Sequence, residues 1–149
     1  AFAQLAEQDP NWKESPAPPP PAIRTSGLLA LDMGTDTGLK FGVDPASLVI
    51  SKDGVVRYVM VASSTSGATN AMYEGIRCAT GEFKTYARAT TVGQWNEVQD
   101  PQWRSLYDNM PSKHALALAE QGVCNGRAPT SSAQAIIHRL KSPQQYERH

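Results

Sequence analysis

Five of the six residues from Pro16 to Pro21 are proline, and this run divides the chain before anything else is read. Proline fixes φ and has no backbone N–H, so neither a helix interior nor a central strand can pass through it. The run reads as polyproline II, a semi-rigid spacer of ~19 Å over six residues. Ahead of it stands Trp12, in the polar setting Asp9-Pro10-Asn11-Trp12-Lys13-Glu14. A large apolar ring on a polar tether needs a pocket. That pocket belongs either to a partner, with Trp12, Pro18, Pro19, Pro20 and Pro21 as the docking element, or to the chain's own domain. The expected organisation is an extended arm over residues 4–26, one domain over 27–142 and a loose tail over 143–149.

The chain has 149 residues, 40% of them hydrophobic, enough for a single well-cored domain. Lys plus Arg and Asp plus Glu both number 14, so no basic excess exists to neutralise phosphates, and nucleic acid is not an expected partner. No apolar run approaches the ~20 residues of a membrane-spanning helix. Ala1-Phe2-Ala3 has the small residues that signal peptidase requires, so residues 1–3 are read as the remnant of a signal peptide. Export to the periplasm follows from that reading. Cys78 and Cys124 are the two cysteines, and an even count in an exported chain predicts one disulfide. In a cytosolic chain the same pair would be buried thiols.

Within the domain, β-rich runs fall at 39–43, 48–50, 55–61, 71–78 and 82–90. Asp53-Gly54 is a hairpin signal, and the run Val55–Val61 is apolar at nearly every position, as in a strand covered on both faces. A two-residue turn at Thr80-Gly81 would place Cys78 opposite Phe83, Ile76 opposite Thr85 and Glu74 opposite Ala87. Tyr73, Arg77, Lys84, Tyr86 and Arg88 would then share the outer face, with Tyr86 covering the bare backbone of Gly75. Two helices close the domain. One runs from about Pro111 to Gln121 with Gly122 as its stop, and one from about Ser132 to Lys141 with a capping box at Ser131 and Gln134. The fold class is α+β: an antiparallel sheet of four to five strands with two C-terminal helices on one face.

The stretches Val43-Asp44-Pro45-Ala46-Ser47-Leu48, Asp53-Gly54-Val55-Val56-Arg57-Tyr58, Ser66-Gly67-Ala68-Thr69-Asn70 and Tyr73-Glu74-Gly75-Ile76-Arg77-Cys78 resemble the cryptic neisserial protein-like family. The resemblance implies a small exported envelope protein of a Gram-negative bacterium. It carries over no catalytic residue.

The chain has none of the motifs HExxH, GxGxxG, GxSxG or SxxK, nor a Walker loop, and no metal or other cofactor is expected. His114, His138 and His149 lie in the helical end, where ordinary structural roles are the commoner ones. Glu74 on an apolar face needs a partner, and Arg57 on the neighbouring run is the expected one. A structural ion pair is the favoured reading of that couple; a catalytic acid would need a cleft open to solvent. The outer face, with Arg77, Lys84, Tyr86 and Arg88, could bind an anionic small molecule or glycan, and Ser66 and Asn70 in the loop could present further donors. Solvated sheet surface and plain connector are the bland alternatives. The leading expectation is a non-enzymatic accessory or assembly protein of the envelope that docks on a larger complex through its arm; the second is the anion-binding face.

Overall fold

The computed structural model describes residues 10–34, 38–90 and 93–142. The expected signal remnant at 1–3, the start of the arm and the tail at 143–149 lie outside the described residues.

The long strands form where the apolar runs fall. They are β2 (Leu39–Val43), β4 (Val55–Ser64), β5 (Thr69–Arg77) and β6 (Glu82–Ala89). Four two-residue strands add to them: β1 (Leu29–Ala30), β3 (Val49–Ile50), β7 (Asn96–Glu97) and β8 (Arg104–Ser105). Among the described residues the sheet therefore has eight strands rather than four to five, all paired antiparallel. β2 and β3 share one edge of β4, while β7 and β8 share one edge of β6. A separate ribbon joins β9 (Cys124–Asn125) to β10 (Ala128–Pro129).

The helical end differs in detail from its expectation. α1 (His114–Leu118) starts later than Pro111 and runs into a single π turn over Ala119–Val123. Gly122 sits inside that turn rather than ending a helix, and its missing side chain lets Leu140 pack close, since a Cβ there would come within 2.8 Å of it. α2 (Ala133–Lys141) is capped by Ser132, whose hydroxyl accepts the Ala135 N–H, so the cap is one residue later than the expected box.

Alternation along β4 supplies two cores. Val56, Tyr58 and Met60 face the helices and pack with Ile76, Phe83, Leu118, Val123, Ile136 and Leu140. Val59 and Val61 face the other way, with Ala71, Tyr73, Ala87 and Ala89. Each such aliphatic side chain contributes about 1.5–3 kcal/mol when fully buried. A strand apolar at nearly every position needs two covers, and the second cover is the arm. Ile23 and Leu28 pack on this outer core, and residues 10–26 lie on the sheet without joining any helix or strand. The arm is a strap on its own domain, not a separate spacer.

The expected register at the β5–β6 turn is also corrected. Arg77 pairs Glu82 and Ile76 pairs Phe83, so residues 78–81 form the turn instead of Thr80-Gly81 alone, and each partner on β6 moves two positions from the expected one. Glu74 pairs Thr85, but Tyr73 pairs Ala87, so a bulge leaves Tyr86 as the extra residue on β6. Beyond the bulge the faces exchange. Arg88 pairs Met72 on the helix side and borders a cleft with Phe83, Thr85 and Met110, not the outer face.

The predicted disulfide is present: Cys78 and Cys124 are bonded, with their Cα atoms 5.6 Å apart. It ties the end of β5 to the start of β9, directly after the π turn.

Candidate functional site

The middle of the outer face is one row across three strands. Arg57 on β4 pairs Gly75 on β5, which pairs Lys84 on β6. Glycine is required at the centre: a Cβ on Gly75 would lie 2.7 Å from the Tyr86 hydroxyl and 2.8 Å from Val55. The bulge delivers the Tyr86 ring over that bare backbone, so the expected cover of Gly75 exists although its register partner is Lys84. Two cations and one phenol therefore converge above a glycine floor.

The group they receive is a carboxylate from the chain's own arm. Tyr86 donates its hydroxyl to Glu14 Oε2 at 2.6 Å, Arg57 Nη2 donates to the same oxygen at 3.0 Å, and Lys84 Nζ donates to Oε1 at 2.7 Å. Charge-assisted bonds of this kind are roughly twice as strong as neutral ones. Burial pushes the Glu14 carboxyl up, but Lys84, Tyr86 and Arg57 outweigh it and hold the group below the usual carboxylate range. Burial and the bond to Glu14 push the Tyr86 phenol up, so it stays protonated as a donor.

Arg57 is sealed at 2% exposure and has every nitrogen occupied. Nε donates to Tyr86, Nη1 to the Ser51 hydroxyl, and Nη2 also to Ser15 O and Asp53 Oδ2. Asp53 accepts the Ser15 N–H, and its carbonyl accepts the Trp12 indole N–H at 2.7 Å. The Trp12 ring lies under the Arg77 guanidinium at 3.6 Å and edge-on to Trp103 at 6.1 Å. Trp12 has thus folded back on its own domain, the second of the two alternatives the sequence allows. Further along the arm, Tyr73 donates its hydroxyl to Pro18 O at 3.0 Å and Trp95 its indole N–H to Pro21 O at 2.7 Å.

This surface brings together Arg77, Lys84, Tyr86, Trp12 and the backbone of Pro18 and Pro21. It does not bring in Arg88, which the bulge turns away, nor Ser66 and Asn70. Asn70 lies seven residues before Arg77 along β5, ~23 Å at strand rise, and on the opposite face. Ser66 is occupied locally with the Ser64 hydroxyl.

Glu74 and Arg57 are on opposite faces and do not pair. Glu74, 1% exposed, points at the helical layer, where Tyr58 donates to Oε1 at 2.8 Å and Thr85 to Oε2 at 3.0 Å. The third partner is His114 at the start of α1, with Nε2 2.9 Å from Oε1. Its ring stacks on Phe41, and Nδ1 meets the Ser112 hydroxyl at 2.9 Å. That hydroxyl also accepts the His114 backbone N–H, so it is committed to the helix start. Burial pushes the Glu74 carboxyl up; His114, Tyr58 and Thr85 pull it down further, leaving it below the usual range. With both residues sealed, the solvent-open cleft that a catalytic Glu74–Arg57 couple would need does not exist. A cleft of about 660 Å³ lies beside the disulfide, between residues 78–81 and 124–127. Arg139 on its wall is engaged with the Gly122 and Cys124 carbonyls.

The CNP1-like family matches the chain over residues 7–141. The chain belongs to this family. Cryptic neisserial protein 1 of Neisseria gonorrhoeae (strain ATCC 700825 / FA 1090) is 26% identical over 147 residues, covering 88% of this chain and 72% of the relative. No solved structure matches. The match to the CNP1-like family begins ahead of Trp12, so it takes in both the strap and the surface that receives it. Among the described residues, no helix is long and apolar enough to cross a membrane.

His114 and Glu14 are the residues that sequence reasoning missed. A usable signal existed for Glu14: an outer face carrying Arg57, Arg77 and Lys84 needs an acid, and the arm offers one beside a tryptophan. His114 left no such signal, because its partner is 40 residues away.

Proposed function

We propose that this CNP1-like chain is a non-catalytic accessory protein of the bacterial envelope that works by binding, and that its interaction surface is the outer sheet face. The observation that carries the reading is the reception of the Glu14 carboxylate by Arg57, Lys84 and Tyr86 over the Gly75 floor. Such a surface is a receptor for an acidic group on an extended ligand. The disulfide supports an oxidising compartment, and with it a periplasmic location. A second reading keeps the arm itself as the docking element on a larger complex. It draws on the exposed Pro18, Pro19 and Pro21, which still face solvent while their backbone is held.

Chemical rescue tests the receptor. Glu14→Ala removes charge-assisted bonds and is expected to cost about 2–3 kcal/mol, lowering Tm by roughly 4–10 °C. Propionate should then raise the Tm of the variant saturably, with sodium chloride at equal ionic strength as the control. Equal responses to the two salts would contradict a carboxylate receptor.

A further inference from the structure

The arm meets the outer face in a way that defines a ligand class. Two of its backbone carbonyls, those of Pro18 and Pro21, three residues apart, accept from aromatic side chains. Three residues are one turn of polyproline II, ~9 Å, the spacing at which that helix repeats the same flank. The donors are a phenol and an indole, Tyr73 and Trp95, and they belong to one aromatic strip. Tyr86 and Tyr73 have ring centroids 5.3 Å apart, and Tyr73 and Trp95 6.4 Å. Aromatic-lined grooves of this construction recognise proline-rich segments because that helix is preformed and its carbonyls have no internal partners. The charged pocket for Glu14 lies four residues ahead of the first contacted proline, and the Trp12 site two residues further.

The arm is held as a ligand would be. Residues 10–26 lie in no strand of the sheet, and Pro18, Pro19 and Pro21 stay exposed. A cleft of about 410 Å³ remains open between residues 17–20 and Tyr73, Tyr86, Val98 and Pro101. We infer that the outer face is a groove for proline-rich segments of another protein that carry a carboxylate four residues before the first bound proline. The chain's own arm is its internal competitor. This rests on the binding role proposed above and narrows it to one class of ligand. The tether from Ile23 to β1 gives the arm a millimolar effective concentration, so an external segment binds when it outcompetes that tether.

The test uses the full chain carrying Trp12→Ala and Glu14→Ala, which weakens the latch and leaves the groove intact. The probe is a fluorescein-labelled peptide copying residues 10–23, followed by polarisation. Saturable binding is expected, roughly tenfold weaker in the wild-type chain, and roughly tenfold weaker again for a peptide with Pro18→Gly and Pro21→Gly. Adding Tyr73→Phe to the host should also weaken it. No saturable binding to a folded variant, equal binding to wild type, or equal binding of the glycine peptide would each overturn the inference. So would a concentration-dependent dimer in which one chain's arm fills its neighbour's groove and excludes the probe. If the double variant fails to fold by circular dichroism, a wild-type chain carrying a protease site at residues 25–26 is cut there, and exchange of the cleaved arm for labelled peptide is measured instead. Failure to exchange would overturn the inference. A positive propionate response with a negative peptide result would remove the ligand class and leave the receptor standing.

Discussion

Glu74→Ala is expected to destabilise the protein by about 3–5 kcal/mol, because it takes the shared acceptor from the His114 ring, the buried Tyr58 hydroxyl and the half-buried Thr85 hydroxyl. The effect should appear in equilibrium urea unfolding, and Glu74→Gln, which keeps an acceptor oxygen, should lose less. The pH dependence has a definite sign. The folded-state pKa of Glu74 lies below its ordinary 4.5, so its contribution is present above that value and lost as pH falls through the folded one. Wild-type stability should therefore drop on acidification below about pH 4.5, and the Glu74→Gln curve should be flatter there. Identical slopes would mean that the carboxylate is not held by His114 as the geometry indicates.

Removing the disulfide is the other large effect. Cys78 and Cys124 are 46 residues apart, and closing a loop of that length restricts the unfolded chain by about 4 kcal/mol in the loop-entropy account. The double substitution Cys78→Ala/Cys124→Ala should lose a comparable amount by urea unfolding. The helical layer should loosen more than the sheet, because the bond joins the end of β5 to the segment after the π turn. A loss below about 1 kcal/mol would show that native contacts alone hold that layer.

Three adjacent residues of β5 organise the whole arrangement. Tyr73 holds the arm, Glu74 holds α1 from the other face, and Gly75 makes room for Tyr86. The local part of this was readable from sequence. Asp53-Gly54 marks a real turn, with Gly54 at φ +85°, and the apolar run of β4 announces a strand covered twice. The Ser/Thr-rich loop, the long strands and the helical end follow from the same kind of short-range signal. What was not readable depends on long-range pairing. The bulge at Tyr86 is one extra residue with no sequence mark, yet it turns Arg88 away and brings Tyr86 in. The two-residue strands are too short for any periodicity to register. Glu14 meets Tyr86 across 72 residues, and only the fold brings them together. The arm's low complexity suggested a tether, while its chemistry, an indole, a carboxylate and proline carbonyls, matches the surface beneath it.

The most direct measurement of the central claim is a ¹³C-detected titration of the Glu14 carboxyl in the full chain. Glu14 should titrate below its ordinary 4.5, so that the strap contact holds above that range and weakens as pH falls through the folded value. In Lys84→Met the titration should move upward, since the bond from Nζ to Oε1 is gone. A Glu14 carboxyl that titrates at or above 4.5 in the wild type, unmoved by Lys84→Met, would contradict the account.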